Sequence, residues 1–186
     1  MEEPGTITGW LEQARDGDDE AFSQVIIEVY DDLRRLASIQ LRKSGSVGTL
    51  QTTGLANDAV IRLLKAKSVK AKNRKQFYAL VVEVIHHAFV DEVRAAMTQK
   101  RRPHKPVAYY SFHVEEEVFT LDLLVLDDAL KELELHDAES MQVILQRFYA
   151  GRSLRGTSEV LGWTMAKTVK NWKYARAWLL ERIGPE

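Results

Sequence analysis

The sequence of 186 residues contains no cysteine. This absence excludes disulfides, cysteine nucleophiles and thiolate zinc sites. No stretch approaches the roughly 20 apolar residues of a membrane-spanning helix, and the acidic N-terminus lacks the basic and then apolar layout of a signal peptide. The apolar fraction of 45% is ordinary for a folded protein. We therefore expect a cytoplasmic protein made of one large domain or two small ones.

The net charge of −1 conceals an uneven distribution of charge along the chain. Seven bases and no acid lie within residues 62–75, and seven bases and one acid lie within residues 147–176. Between these basic zones, residues 115–139 carry ten acids and one base. Because phosphate contacts supply much of the affinity for DNA, each basic zone is a candidate nucleic-acid footprint. The alternative for each zone is a set of solvated surface lysines.

Apolar spacings of three and four predict helices along nearly the whole chain. The helices are predicted at residues 8–14, 20–43, 54–66, 77–97, 121–135, 140–149, 154–161 and 164–183. The fourth is apolar on most sides, which is typical of the centre of a bundle. Two prolines end it, and residues up to 119 are predicted to be irregular, with a weak strand signal at 107–114. The predicted fold is all-α: helical domains at residues 1–100 and 121–186, joined by a linker at 101–120.

The last forty residues contain the most specific pattern. Ser153 is a predicted N-cap for the helix at 154–161, Gly162 ends that helix in a left-handed conformation, and Thr164 caps the final helix. Two helices joined by a short glycine-containing turn form the helix-turn-helix layout. An ordinary helical hairpin with an exposed basic face is the alternative.

The final helix is predicted to have a core face and a DNA-binding face. Met165, Thr168, Trp172, Ala175, Leu179 and Ile183 recur at helical spacing and should face the core. In a helix-turn-helix the N-terminal part of the second helix enters the major groove, where lysines meet guanine edges or phosphates and Asn171 can read adenine. The candidate DNA contacts in this half are Arg152, Arg155, Thr164, Lys167, Lys170, Asn171, Lys173 and Tyr174.

Several segments resemble the extracytoplasmic-function (ECF) sigma factors of bacterial RNA polymerase. In the C-terminal half these are LLVLDDAL at 123–130, QRFYAG at 146–151 and WKYARAWL at 172–179. In the N-terminal half the similar segments are residues 30–37, 49–55, 58–63 and 90–94, together with Phe77. They follow the family's order over nearly the whole chain. The resemblance implies a non-enzymatic protein, without a cofactor, that binds core RNA polymerase and promoter DNA, and it raises an anti-sigma factor as a candidate partner.

The resemblance also implies a role for each domain. The polymerase-binding surface would centre on the helix from Leu55 to Leu64, with Asp58, Ile61 and Arg62 as candidate contacts. Residues 67–75 and the exposed side of the next helix would hold the melted strand of the promoter's −10 element, by backbone contacts and by base stacking. The candidates there are Lys70, Lys72, Asn73, Arg74, Lys75, Phe77, Tyr78, His87 and Arg94. The C-terminal domain would read the −35 element as duplex.

Five positions, at three sites, depart from the family pattern. Arg155 and Gly156 stand where the family usually has an acidic pair, and Ser158 stands where it usually has alanine. Lys167-Thr168 takes the place of a frequent Thr-Val pair in the recognition helix. Glycine inside a helix costs about 1 kcal/mol relative to alanine, so Gly156 is expected to weaken the helix at 154–161.

Other functions are weaker interpretations of the same sequence. His87 and Asp91 lie four residues apart on one helical face, where they could share a metal, but no third ligand has a recognisable spacing. Glu115-Glu116-Glu117 is interpreted as a solvated acidic tether. No phosphate-binding glycine loop, nucleophile elbow or paired-carboxylate motif is present. The alternatives left open are a stand-alone helix-turn-helix regulator of operator DNA and a helical adaptor that binds only proteins.

Overall fold

The computed structural model describes residues 6–43, 51–66, 71–98, 109–114 and 117–183. Its helices are α1 (Ile7–Arg15), α2 (Asp19–Lys43), α3 (Thr52–Lys65), α4 (Arg74–Thr98), α5 (Leu123–Ile144), α6 (Leu154–Leu161) and α7 (Met165–Ile183). A π-helical turn, Leu145–Tyr149, extends α5. The predicted helical fold is confirmed, and the helix ends agree with the predicted ones to within a few residues.

Side-chain caps and left-handed glycines set the ends of several helices. Thr6 Oγ1 accepts from the Gly9 N–H at the start of α1, and Asp18 Oδ1 accepts from the Ala21 N–H at 3.0 Å at the start of α2. Gly17, with φ of 100°, makes the tight turn between these helices. Such a φ strains residues with a Cβ, so glycine suits this turn.

Helix α4 forms the centre of the N-terminal half, as its all-round apolar pattern predicts. The apolar α4 residues that are essentially inaccessible to solvent are Phe77, Val81, Val82, Ile85, Ala88, Phe89, Val90 and Val93. Helices α1, α2 and α3 all pack against α4. Residues at the first turn of α4 are consequently held at the surface by a rigid, buried helix.

The predicted irregular linker contains regular β structure, which corrects the prediction for that segment. Strands β1 (Tyr109–Val114) and β2 (Glu117–Asp122) pair antiparallel, with Phe112 opposite Phe119. Alternating aromatic and β-branched residues favour strands, and the weak strand signal at 107–114 underestimated them. The Pro103–Pro106 run and Glu115–Glu116 lie outside the described residues.

Helix α5 contains the predicted interruption near residue 137. Asp137 has non-helical dihedral angles (φ −154°, ψ 85°), and its carboxylate accepts from the N–H groups of Glu139 and Ser140. Burial alone would raise the pKa of Asp137, but the hydrogen bonds from Ser140 and Glu139 hold it below its usual value. Asp137 therefore acts as an N-cap inside α5 and redirects the second half of the helix.

The N-terminal and C-terminal halves share one hydrophobic core in this structure. Helix α4 contacts α5, α6 and the π-helical turn. Gln40 Nε2 donates to the Tyr149 carbonyl at 2.7 Å, and Lys43 Nζ donates to the Phe148 carbonyl. The predicted division at residues 101–120 remains a prediction. The structure itself has the halves closed on each other.

Candidate polymerase and nucleic-acid interfaces

The turn between α6 and α7 forms with the predicted caps and the predicted glycine. Ser153 Oγ accepts from the Gly156 N–H at 3.0 Å, and Thr164 Oγ1 accepts from the Lys167 N–H at 3.2 Å. Gly162 adopts the left-handed conformation with φ of 69°. The Trp163 N–H closes the end of α6 by donating to the Ser158 carbonyl at 2.9 Å. Both predicted caps and the predicted glycine are therefore confirmed.

The core face of α7 is confirmed at its centre but not at its start. Thr168, Trp172, Ala175 and Leu179 are buried, whereas Met165 is 44% exposed. The Trp172 ring lies edge-on to Phe148, with centroids 5.5 Å apart, and the Arg147 guanidinium lies 4.8 Å from its centroid. These contacts hold α7 against the π-helical turn.

Two of the three departures from the family pattern, at Arg155-Gly156 and at Ser158, fit the local structure. Arg155 is exposed and pairs with Glu159 at 3.1 Å. A Cβ at Gly156 would lie 3.4 Å from Ser153 Oγ, which is an ordinary contact, so space does not require glycine there. Ser158 is buried and donates to the Arg155 carbonyl at 2.7 Å. The helix-turn-helix therefore forms with these residues in place.

The predicted DNA-binding face of α7 divides into exposed and restrained residues. Lys170, Lys173 and Tyr174 are exposed, and so is Thr164 at the helix start. Lys167 pairs with Glu139 at 2.6 Å and lies 4.4 Å from the Trp163 ring centroid. The Lys167 side chain is therefore engaged in contacts within the protein, whereas Thr164, Lys170, Lys173 and Tyr174 face solvent.

Asn171 does not lie on this face, which corrects its predicted role. It is 7% exposed, and its amide nitrogen is enclosed with no hydrogen-bond partner among the described residues. The helix turns about 100° per residue, so Asn171 lies on a different side of α7 from Lys170, on the side that faces the core together with Trp172. Asn171 cannot reach an adenine edge from there.

The second candidate surface is the first turn of α4. Asn73 Oδ1 accepts from the Gln76 N–H at 3.0 Å, and Gln76 Oε1 accepts from the Lys72 N–H at 2.8 Å. These two hydrogen bonds fix the start of the helix, because each satisfies a backbone N–H at or just before its first turn. Lys72, Arg74 and Lys75 are exposed around it. Lys70 lies outside the described residues.

Of the two aromatic residues proposed for base stacking, Tyr78 is accessible and Phe77 is not. Phe77 is fully buried and packs edge-on to Phe22, with ring centroids 6.5 Å apart, so its stacking role is corrected. Tyr78 is half-buried and donates to Asp32 Oδ2 at 2.5 Å. Burial raises the pKa of Tyr78, and the hydrogen bond to Asp32 raises it further. The Arg74 guanidinium lies 5.4 Å from the Tyr78 ring centroid.

Farther along α4, Arg94 is occupied by contacts with the other half of the protein. Arg94 donates to Asp127 at 2.8 Å and to Asp128 at 3.0 Å. His87 is partly buried, and its neighbour His86 is fully buried against Asp127. Asp91, the suggested metal partner of His87, pairs instead with Arg62 at 2.8 Å. The described part of the chain contains no group of three residues suited to hold a metal.

A buried polar network between the halves was missed in the sequence. Asp127 is 1% exposed, and its carboxylate oxygens lie 3.1 Å from His86 Nε2, 2.8 Å from the Arg94 guanidinium and 2.7 Å from Lys131 Nζ. Burial alone would raise the pKa of Asp127, but His86 and Lys131 hold it far below its usual value. Only the pair of Asp127 and Lys131, four residues apart on α5, is visible in the sequence. Asp127 therefore joins α4 to α5.

The candidate polymerase-binding face of α3 presents apolar and charged side chains together. Ile61 is 47% exposed, and Arg62 pairs with Asp58 at 2.7 Å. Leu64, 44% exposed, ends the predicted surface and extends the apolar part of this face. Leu55 is 3% exposed, so it supports the helix from inside rather than facing a partner, which corrects its predicted role.

These features define a helical protein whose last two helices, α6 and α7, are joined by a short turn with a left-handed glycine, with exposed basic residues on α7. A protein-family model described as ECF sigma factor matches residues 4–184. The chain belongs to the ECF sigma factor family and has a sigma factor role in transcription initiation. No curated protein matches the chain in the comparison. Within the described segments, no helix is long and apolar enough to cross a membrane.

Proposed function

We propose that the protein directs RNA polymerase to promoters by reading two DNA elements, one with the first turn of α4 and one with α7. The observation that carries this proposal is the presence of two separate exposed basic surfaces, of which one lies on a helix-turn-helix. A stand-alone operator-binding regulator needs only the second surface. A protein-binding adaptor needs neither.

The surface on α7 suits the duplex of the −35 element. Lys170, Lys173 and Tyr174 are exposed within the first three turns of the helix, and Thr164 precedes them. The N-terminus of a helix also favours phosphate, because its free N–H groups and its dipole point outward. We therefore assign base-edge and phosphate contacts to Lys170 and Lys173 and a thymine-methyl or backbone contact to Tyr174.

The surface at the start of α4 suits the melted strand of the −10 element. Lys72, Arg74 and Lys75 offer positive charge to the sugar-phosphate backbone. The half-buried Tyr78 offers a ring for base stacking, which is worth about 1–3 kcal/mol per base. Because Asn73 and Gln76 fix this turn, the basic side chains around it project from a rigid element.

The face of α3 suits the polymerase. It combines the exposed apolar side chains Ile61 and Leu64 with the charged pair Arg62 and Asp58. An apolar patch with a charged border is the usual composition of a protein–protein interface. Asp91 on α4 borders this face by its ion pair with Arg62.

Reading both elements requires the two halves to separate. The centres of the −10 and −35 elements lie about 25 base pairs apart, or about 85 Å at 3.4 Å per step. A compact chain of this length has a radius of gyration of about 16 Å. The closed arrangement, in which α4 packs on α5 and α6, cannot span that distance. We infer that promoter binding opens the contacts between the halves.

A matched pair of double variants tests the assignment of α7. Lys170→Ala with Lys173→Ala removes two charges from the proposed DNA surface, and Arg15→Ala with Arg34→Ala removes two exposed charges elsewhere. Binding of each variant, in complex with core polymerase, to a pool of duplex DNA is measured over a range of salt concentrations. The first pair should bind at least tenfold more weakly, with a salt slope lower by about 1–2, and the control should match the wild type. Equal binding by both pairs would remove α7 from the DNA interface.

A further inference from the structure

A basic cleft lies between the two halves of the closed protein. It has a volume of about 470 Å³ and is lined by Asp32, Arg35, Arg74, Lys75, Tyr78, Arg152 and Val160. Four of these side chains are cationic and one is anionic. Its volume falls within the range of about 300–1,000 Å³ that is typical of small-molecule sites.

The positive charge of the cleft is poorly compensated. Asp32, its one acid, pairs with Arg35 at 3.2 Å and also accepts from Tyr78. Among the described residues, no carboxylate lies within 4.0 Å of the charged groups of Lys75 or Arg152. A site with this surplus of fixed positive charge favours an anion.

Arg152 shows the effect of this uncompensated charge. Its side chain is half-buried, and its Nε donates to the neutral Gln146 Oε1 at 3.1 Å. Burial lowers the pKa of Arg152, and the nearby charge of Arg35 lowers it further, whereas the charge of Asp32 opposes this decrease without cancelling it. A partly buried guanidinium without a carboxylate partner is costly unless an anion neutralises it. A phosphate fits best, because the planar fork of an arginine binds two phosphate oxygens at once.

We propose that this cleft binds a small anion with two or three linked phosphates, such as a nucleoside di- or triphosphate, and that the bound anion holds the halves together. Arg35, Lys75 and Arg152 would contact the phosphates. The Tyr78 ring, with Arg74 beside it at 5.4 Å, offers a surface for a nucleobase. Inorganic triphosphate and a nucleotide share the phosphate chemistry and differ only in the use of this ring.

Closure follows from where the lining residues lie in the chain. Asp32 and Arg35 belong to α2, and Arg74, Lys75 and Tyr78 belong to α4, whereas Arg152 and Val160 come from the C-terminal half. Separation of the halves would dismantle the site. A ligand that binds only the closed state stabilises that state by an amount that grows with the ratio of its free concentration to its Kd. If the proposed function holds, the anion opposes promoter binding, because Arg74, Lys75, Tyr78 and Arg152 are also candidate DNA contacts.

Calorimetric titration of the full-length protein with inorganic triphosphate, ADP and ATP, at constant ionic strength, tests the proposal. Saturable binding of one anion per chain is expected. Arg152→Gln should weaken it at least tenfold, as the loss of a charge-assisted hydrogen bond does. Arg155→Gln removes an exposed charge that pairs with Glu159 outside the cleft, and should retain the affinity. Tighter binding of ATP than of triphosphate would assign the nucleotide, and equal binding would assign the phosphates alone.

A second variant and a second measurement keep the test decisive. Lys75→Gln changes an exposed side chain that supports no described contact, so it should weaken the anion several-fold in a fully folded protein. Small-angle scattering should show that triphosphate keeps the radius of gyration near the compact value of about 16 Å under mild denaturant that expands the free chain. Absent binding, equal weakening by Arg155→Gln, or expansion despite bound triphosphate would each overturn the proposal. Neither experiment contains polymerase or promoter, so their failure is distinct from failure of the proposed function.

Discussion

Replacing Asp127 with asparagine tests how strongly the halves are held together. The carboxylate is 1% exposed and forms close polar contacts with His86 at 3.1 Å, Arg94 at 2.8 Å and Lys131 at 2.7 Å. Removing one partner of a fully buried ion pair costs about 3–5 kcal/mol. The Arg94 and Lys131 side chains are 37% and 49% exposed, so water compensates part of that loss. We expect Asp127→Asn to lower the free energy of unfolding by about 2 kcal/mol.

The neighbouring Asp128 provides the matched control. Its side chain is 71% exposed and contacts the same Arg94 at 3.0 Å. Asp128→Asn should therefore cost less than about 0.5 kcal/mol. Urea denaturation of both variants at pH 7, followed by circular dichroism, gives the comparison. Equal losses in the two variants, or a loss below about 0.5 kcal/mol for Asp127→Asn, would refute the reasoning that the buried carboxylate joins the halves.

Three further predictions concern the pH response, the turn and the polymerase face. Burial lowers the pKa of His86, and the charges of His87 and Lys131 lower it further, against the opposing effect of Asp127. Neutral His86 therefore contributes stability above the unfolded pKa of about 6.5, and this contribution is lost as the pH falls below that value. Wild-type stability should fall between pH 7.5 and 5 by at most about 1.4 kcal/mol per pH unit, and His86→Gln should flatten this slope while the exposed His136→Gln does not. Gly162→Ala, at φ of 69°, should cost about 1–2 kcal/mol in urea denaturation, and an unchanged midpoint would contradict the left-handed turn. Ile61→Glu should reduce co-purification with core polymerase at least tenfold without changing the unfolding midpoint. The control is Ile27→Glu on α2, where the side chain is 67% exposed, and it should leave co-purification unchanged if a new surface charge has no general effect.

The local part of the fold could be predicted from the sequence. Caps and left-handed glycines act over three or four residues, so Ser153, Gly162 and Thr164 were placed correctly from the sequence alone. The apolar pattern also identified α4 as the central helix. In each of these cases the determining residues are neighbours in the chain.

The predictions that failed depend on orientation or on distant contacts. Helical spacing assigns a residue to a face only to within about one position. Phe77, Asn171 and Leu55 were predicted to face a partner, and the structure buries each of them. Tyr78, next to Phe77, turns outward instead. The pairing of β1 with β2 likewise depends on partners across the hairpin rather than on local spacing.

The network at Asp127 and the basic cleft could not be predicted from the sequence, because their members lie far apart in it. His86 and Asp127 are separated by 41 residues, and the cleft joins α2 and α4 to Arg152. Sequence spacing contains no information about which helices meet. Both features arise only from the closure of the two halves.

The central claim is that this ECF sigma factor directs polymerase through two DNA elements. The most direct test is transcription by core polymerase, with and without the protein, from a template pool randomised upstream of the start site. Sequencing of the transcribed templates should show two enriched blocks separated by a fixed spacing, and Lys170→Ala with Lys173→Ala should lose only the upstream block. No transcription above that of core enzyme alone, or enrichment of a single block, would contradict the account.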